Sequence, residues 1–211
     1  PEISRIAKKN GAVVIEDACH AVGGLFEYEG QHWHVGGHPW ADMTTFSFHP
    51  VKTMTTGEGG MVVTDNHDYA EKIRLLRTHG MIRTSDQFVG LGDSRFNEFG
   101  PWYYEMQELG FNFRITDFQC ALGLSQLKKL SSFIERRREL VATYNRAFSK
   151  HNLIEIPRLR NKADRDLTSW HLYTIQIDFE KAGMTRVELL KQLKQCQIIP
   201  QVLYIPVHLQ P

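Results

Sequence analysis

Residues 12–24, AVVIEDACHAVGG, and residues 42–64, DMTTFSFHPVKTMTTGEGGMVVT, decide the fold. The run at 12–16 is apolar and β-branched, as expected of a strand buried in a parallel sheet. It follows a helical stretch over 2–9 that Asn10 and Gly11 close as a left-handed cap. Asp17 therefore stands at the carboxyl end of a strand, where open α/β sheets collect ligand-binding residues. Segments 42–48 and 60–64 read as two more strands. The turn between them is rich in Gly and Thr and carries Lys52. An amphipathic helix is expected over 67–79, ending at Gly80.

Working outward, residues 83–108 are polar and aromatic without a clean period. A loop of that length in a compact domain is usually functional. Thr116 and Gln119 form a capping box that opens a helix through CALGLSQL. Ser132 and Glu135 read as a second box, opening a helix to about residue 150. The tail reads as a strand (172–178), a helix opened by Thr185 and Glu188, and a last strand (198–204).

Composition bounds the function. The chain has 211 residues, 42% hydrophobic and 23% charged, with a formal net charge of +1. Such a balance gives no electrostatic footprint for nucleic acid or a membrane surface. No apolar run approaches the roughly 20 residues of a spanning helix. The three cysteines, Cys19, Cys120 and Cys196, form no CxxC pair. That argues against a disulfide framework and for a reducing, cytoplasmic compartment. His32, His34 and His38 lack a suitably spaced carboxylate or thiol partner, so no metal site is expected. The basic pairs and triplets at 128–129 and 136–138 read as solvated helix faces. The chain opens inside a helix and stops just after a strand-like run, so a piece of a longer protein is expected.

On spacing alone, a carboxylate at a strand end and a lysine in a tight loop read as an ordinary ion pair. The wording around them narrows the choice. IEDACHAVGG (15–24), FSFHPVKTMTTGEGGMVVT (46–64) and LGFNFRITDFQCALGLSQL (109–127) together resemble the DegT/DnrJ/EryC1/StrS family of sugar aminotransferases. The likeness runs from about residue 3 to the end.

The resemblance implies an α/β chain of the fold type I, pyridoxal phosphate-dependent aminotransferases. Residues 1–120 would be the later part of the large cofactor domain. Residues 121–211 would be inter-domain helices and most of the small domain. It implies transfer of an amino group, from L-glutamate, to a 4-keto-6-deoxy nucleotide sugar. The segments SFHPVKTMTTGEGG and QVLYIPVH point to a UDP-linked N-acetylhexosamine on the route to pseudaminic acid.

By resemblance, Lys52 holds pyridoxal 5'-phosphate as an imine, and the freed amine then moves protons as base and acid. Asp17 holds the pyridine nitrogen protonated. His20 contacts the ring hydroxyl and Ser47 the phosphate, while Asn112 reaches the phosphate of the other subunit in a homodimer with shared sites. Tyr204 and His208 approach the nucleotide sugar. The aromatics at 102–104 lie near the dimer interface or the sugar, whereas His49, adjacent to Pro50, reads simply as a residue that fixes the turn. An upstream phosphate-binding helix start and a ring-stacking aromatic are not found, so this piece alone is expected to bind cofactor weakly or not at all. Two alternatives stand beside the transaminase: a truncated relative acting as a binding or dimerisation partner, and a sugar dehydratase, although dehydratase relatives replace the lysine.

Overall fold

The computed structural model describes residues 1–90 and 100–211. The part of the long loop at 91–99 lies outside the described residues. Two compact units form, one from 1–139 with 159–172, the other from 140–158 with 173–211. The boundary expected near residue 120 falls within a helix of the first unit. Among the described residues, no helix is long and apolar enough to cross a membrane.

The first unit is organised around a three-stranded sheet. Helix α1 (Glu2–Lys9) ends at Asn10, and Gly11 takes φ 64° to turn the chain into β1 (Ile15–Asp17). Strand β4 (Met43–Ser47) lies beside β1 in parallel, and β5 (Gly60–Val63) pairs antiparallel with β4. The parallel pairing follows the sequence expectation, but the burial does not. Val13 is 49% exposed and Ile15 61%. The order β1-β4-β5 leaves β1 at the edge, with no strand on its outer side among the described residues.

Between β1 and β4 stands a hairpin that the sequence pattern does not announce: β2 (Leu25–Tyr28) and β3 (Gln31–His34). Glu29 and Gly30 have φ 51° and 75°, the paired left-handed residues that match a two-residue turn to the strand twist. Glu16 anchors the segment that leads from this hairpin to β4. Its carboxylate accepts from Thr44 Oγ1 at 2.9 Å, Gly36 N at 3.3 Å and His38 Nε2 at 3.2 Å. His38 Nδ1 accepts from Trp40 N, so Nε2 carries the proton given to Glu16. Phe26 and Trp40 pack against the His38 ring. His38 thus has a structural partner.

Helix α2 (His67–Leu76) is capped by Asn66, whose Oδ1 accepts from Tyr69 N. It stops before residue 79, because His79 and Gly80 both take positive φ. Short strands β6 (Met81–Ile82) and β7 (Glu105–Met106) then pair. The Glu105 carboxylate gathers Val89 N, Gly90 N, Tyr103 OH and Gln107 Nε2. Partial desolvation alone would raise its pKa, but these donors lower it to about 2.

Helix α3 (Asp117–Leu127) carries the expected capping box of Thr116 and Gln119. Gln119 Nε2 also reaches Glu58 O at 2.8 Å, tying the helix start to the turn before β5. Helix α4 (Leu130–Phe148) corrects two expectations. Ser132 is inside the helix, its hydroxyl bonded back to Lys129 O, so it opens no capping box. Arg137 and Arg138 are half-buried rather than solvated, and donate to backbone carbonyls at 168, 170 and 171. Only Arg136 behaves as a surface charge, paired with Glu139.

In the second unit, β8 (Ile154–Glu155) pairs with β9 (Gln176–Ile177). The expected strand over 172–178 shrinks to the two residues of β9. Helix α5 (Phe179–Ala182) ends at left-handed Gly183, and α6 (Arg186–Gln195) has the expected Thr185–Glu188 box. Residues 198–204 form no strand, because no neighbouring strand among the described residues supplies a ladder. Tyr173 OH donates to Asn145 Oδ1 at 2.8 Å and its ring meets Tyr144.

Candidate active site

Two parallel neighbours deliver their carboxyl ends to the same edge of a sheet. Here those ends are Asp17 on β1 and Ser47 on β4. Asp17 faces Thr45 in register, and Ala18 N bonds Thr45 O at 2.9 Å. Ala18 is buried, while Asp17 points out of the edge and is exposed.

After Ser47 the chain makes a closed turn. Phe48 is its anchor: buried, bonded through its N–H to Gly59 O, and accepting from Thr56 N and Thr55 Oγ1. His49 Nδ1 accepts from Val51 N, and Lys52 N reaches His49 O at 2.9 Å. Thr53, Met54 and Thr56 form the buried floor. Gly57 takes φ 82°, which lets the loop reverse toward β5. Lys52 is thereby held half-buried on a turn that both flanking strands pin.

Electrostatics converge on this lysine. Its charge acts on Asp17, Cys19, His20 and His171. Asp17 has a lowered pKa, chiefly because Cys19 donates from its thiol and backbone N–H, with His20 and Lys52 adding to the effect. The same contact, with burial, raises the Cys19 thiol. His20 is lowered by burial and then by Lys52. Asp17 thus stays a carboxylate.

His171 joins this group although no sequence motif marks it. Its ring meets His20 with centroids 4.4 Å apart. Burial, together with His20, Lys52 and Arg137, lowers its pKa to about 4. The only signal is the position after Trp170 in SWHLY, and nothing local ties that to a turn so far away in the chain.

The first unit therefore brings Asp17, His20, Ser47 and Lys52 to one edge. Asn112 lies further along the same unit, exposed, bridged to Thr78 and accepting from Arg114 N. Tyr204 and His208 belong to the second unit; Tyr204 is exposed and His208 sits in a 3-10 turn at Val207–Leu209. A cavity of about 980 Å³ lies against the floor of the same turn, lined by Phe46, Phe48, Met54, Thr56, Phe113 and Leu124 among others. None of Asp17, His20, Ser47 or Lys52 lines it.

This donor set suits pyridoxal phosphate. An ionised carboxylate, an amine on a rigid turn and a hydroxyl at a strand end are the types such a group requires. Thr53 Oγ1, next to Lys52, is buried without a hydrogen-bond partner among the described residues. A buried hydroxyl left unpaired is costly, which makes Thr53 a candidate partner for a polar group held at this turn. The residues present fit the group.

The chain as a whole is similar to known proteins. Over 207 residues the chain is 38% identical to the UDP-4-amino-4,6-dideoxy-N-acetyl-beta-L-altrosamine transaminase of Campylobacter jejuni, covering 98% of this chain and 48% of that protein. It superposes on Helicobacter pylori PseC, an aminotransferase involved in the biosynthesis of pseudoaminic acid. That match has a TM-score of 0.77 and 33% identity, over 98% of this chain and 49% of PseC. The PLP form of Spr1654 from Streptococcus pneumoniae matches with a TM-score of 0.70 and 27% identity, over 94% of this chain and 45% of that one. The chain thus spans about half the length of the curated relatives it matches. The architecture is that of an α/β fold type I aminotransferase fragment. With the family's sequence model matched across residues 1–211, the chain belongs to the DegT/DnrJ/EryC1/StrS aminotransferase family.

Proposed function

We propose that the protein containing this chain transfers an amino group from glutamate to the keto carbon of a 4-keto-6-deoxy nucleotide sugar, a UDP-linked N-acetylhexosamine, using pyridoxal phosphate. One observation carries this reading: the parallel strands β1 and β4 bring Asp17 and the closed turn that holds Lys52 to the same edge of the sheet. Beside them the two histidines have pKa values lowered first by burial, with Lys52 adding to the effect. Perturbed titrating groups collected at one sheet edge are what reactive sites build.

When bound, pyridoxal phosphate supplies an electron sink for the carbon that loses its proton. The chain's own residues do the rest. Lys52 carries the amine that holds the group and takes and returns a proton at Nζ. Asp17, kept ionised, would hold the ring nitrogen protonated. Ser47 would offer its hydroxyl to the phosphate, and Asn112 its amide to the phosphate of a partner subunit in a homodimer. His20 would take the ring hydroxyl. Tyr204 and His208 would serve the nucleotide sugar. The three free cysteines fit a reducing compartment, the cytoplasm.

The test uses the full-length protein with glutamate, pyridoxal phosphate and a panel of 4-keto nucleotide sugars. Conversion to the amino sugar, read by mass spectrometry and abolished in Lys52→Ala, supports the proposal. Turnover that persists in Lys52→Ala sinks it.

A further inference from the structure

His171 is placed with more constraint than packing requires. The residue before it, Trp170, is buried at 7% exposure yet takes φ 50°, a left-handed conformation unusual for a bulky side chain. Such backbone persists only where the surroundings over-determine it, and it clusters at functional sites. The surroundings here are explicit. Arg137 Nη1 donates to Trp170 O at 3.2 Å and to His171 O at 3.0 Å. Arg138 Nε holds Thr168 O at 3.2 Å, and Trp170 Nε1 holds Arg165 O at 3.0 Å. Ser169 Oγ reaches back to His20 O at 3.5 Å. The chain leading into His171 is thus fixed to α4 and to the turn after Asp17.

The ring itself is asymmetric. Its Nδ1 is buried with no hydrogen-bond partner among the described residues. A neutral imidazole has one N–H and one lone pair to distribute. Putting the proton on Nδ1 would bury a donor with no acceptor. Putting it on Nε2 leaves only a lone pair in the closed position and directs the donor outward. Protonating both nitrogens would bury a charged N–H beside other cations. The titratable and charged groups around the ring are His20 from the turn after β1, Lys52 from the turn after β4, and Arg137 from α4. Asp17 is the anion of this group, and its influence falls on His20.

We propose that His171 is a further residue of the Lys52 site, fixed as the neutral Nε2–H tautomer, donating a hydrogen bond to an oxygen of the bound keto sugar rather than taking a proton. Arg137 is its positioning residue, acting through the carbonyls of Trp170 and His171. This rests on the reading of Lys52 as the reactive amine. The lowered pKa, about 4, agrees with a ring that stays neutral through the working range.

The experiment uses the full-length holoenzyme. Nitrogen-15 histidine NMR over pH 4 to 8 reads the tautomer and midpoint of His171 without any substitution. The expected result is an Nε2–H ring with a midpoint below about 5. An Nδ1–H ring, or a cation near neutral pH, overturns the proposal. Kinetics supply the second arm. His171→Gln keeps a donor near the Nε2 position, so kcat/KM for the keto sugar should stay within about threefold of wild type. His171→Met removes it and should lose roughly tenfold, the worth of one neutral hydrogen bond, mainly in KM. Arg137→Lys should retain more of that activity than Arg137→Met, with the same tautomer signature. Equal losses in Gln and Met overturn the donor role. Lys52→Ala, run alongside, separates the two ideas: retained turnover there refutes the amine assignment, whereas the tautomer measurement judges His171 alone.

Discussion

His20 and His171 meet with ring centroids 4.4 Å apart and planes tilted by 60°, joining the turn after β1 to a segment far along the chain. Asp17 favours the charged form of His20, yet burial and Lys52 outweigh it. The pair sits within reach of the Lys52 charge, and both members have lowered pKa values.

Removing the lysine charge should release both rings. In Lys52→Met, the NMR midpoints of His20 and His171 are expected to rise, because a lowering influence has gone. Asp17 should move up as well, having lost a cation that favours its ionised form. Unchanged histidine midpoints would place the Lys52 ammonium elsewhere.

The His171 ring also predicts a pH dependence of stability. Its folded-state pKa, about 4, lies below the ordinary value of 6.5. The unfolded chain therefore binds the proton first as pH falls. The contribution is fully present above about pH 6.5 and is lost between 6.5 and 4. In urea unfolding, wild type should therefore lose stability more steeply than His171→Gln as pH falls through this window. A constant difference between the two from pH 7.5 to 4.5 would contradict the shift.

Asp17 and Cys19 form a coupled pair with an accessible readout. Cys19 N donates to Asp17 Oδ1 at 3.1 Å, and the thiol is raised first by its hydrogen bond to the same carboxylate. Asp17→Asn should lower the thiol pKa and speed alkylation of Cys19 by iodoacetamide near pH 8. It should also depress transamination steeply, since the ring nitrogen would lose its anion. Slower alkylation of Cys19 in this variant would show that the thiol does not lean on Asp17.

The hairpin beside the site depends on Glu16. Its carboxylate serves Thr44, Gly36 and His38, whose side chain is only 7% exposed. Glu16→Ala strands those donors, and each buried unsatisfied group costs about 1–3 kcal/mol. A loss of that order or more in urea unfolding is expected. Glu16→Gln should recover part of it. A neutral effect of Glu16→Ala would mean the hairpin is held by its aromatics alone.

Much of the fold is legible because it is written locally. The boxes at Thr116–Gln119 and Thr185–Glu188 each satisfy backbone donors within one turn, and the sequence spacing reveals them directly. Ser132 and Glu135 share that spacing but sit inside a helix that has already begun at Leu130. The Glu29-Gly30 turn is hard to read because Glu seldom takes positive φ, so the hairpin lacks its usual signature. Asp17, Ser47 and Lys52 are legible because neighbouring strands carry them to one edge. His171 is not, because its place depends on Arg137 reaching across from α4 to two carbonyls. As part of a basic triplet, Arg137 looks like a surface charge; its burial comes only from tertiary packing.

The central claim is that Lys52 is the amine that holds the cofactor. Reducing the full-length holoenzyme with borohydride and mapping the modified peptide by mass spectrometry tests it most directly. The expected result is a pyridoxyl group on the peptide carrying Lys52 and no such group in Lys52→Ala. A label on a different lysine, with Lys52 unmodified, would contradict it.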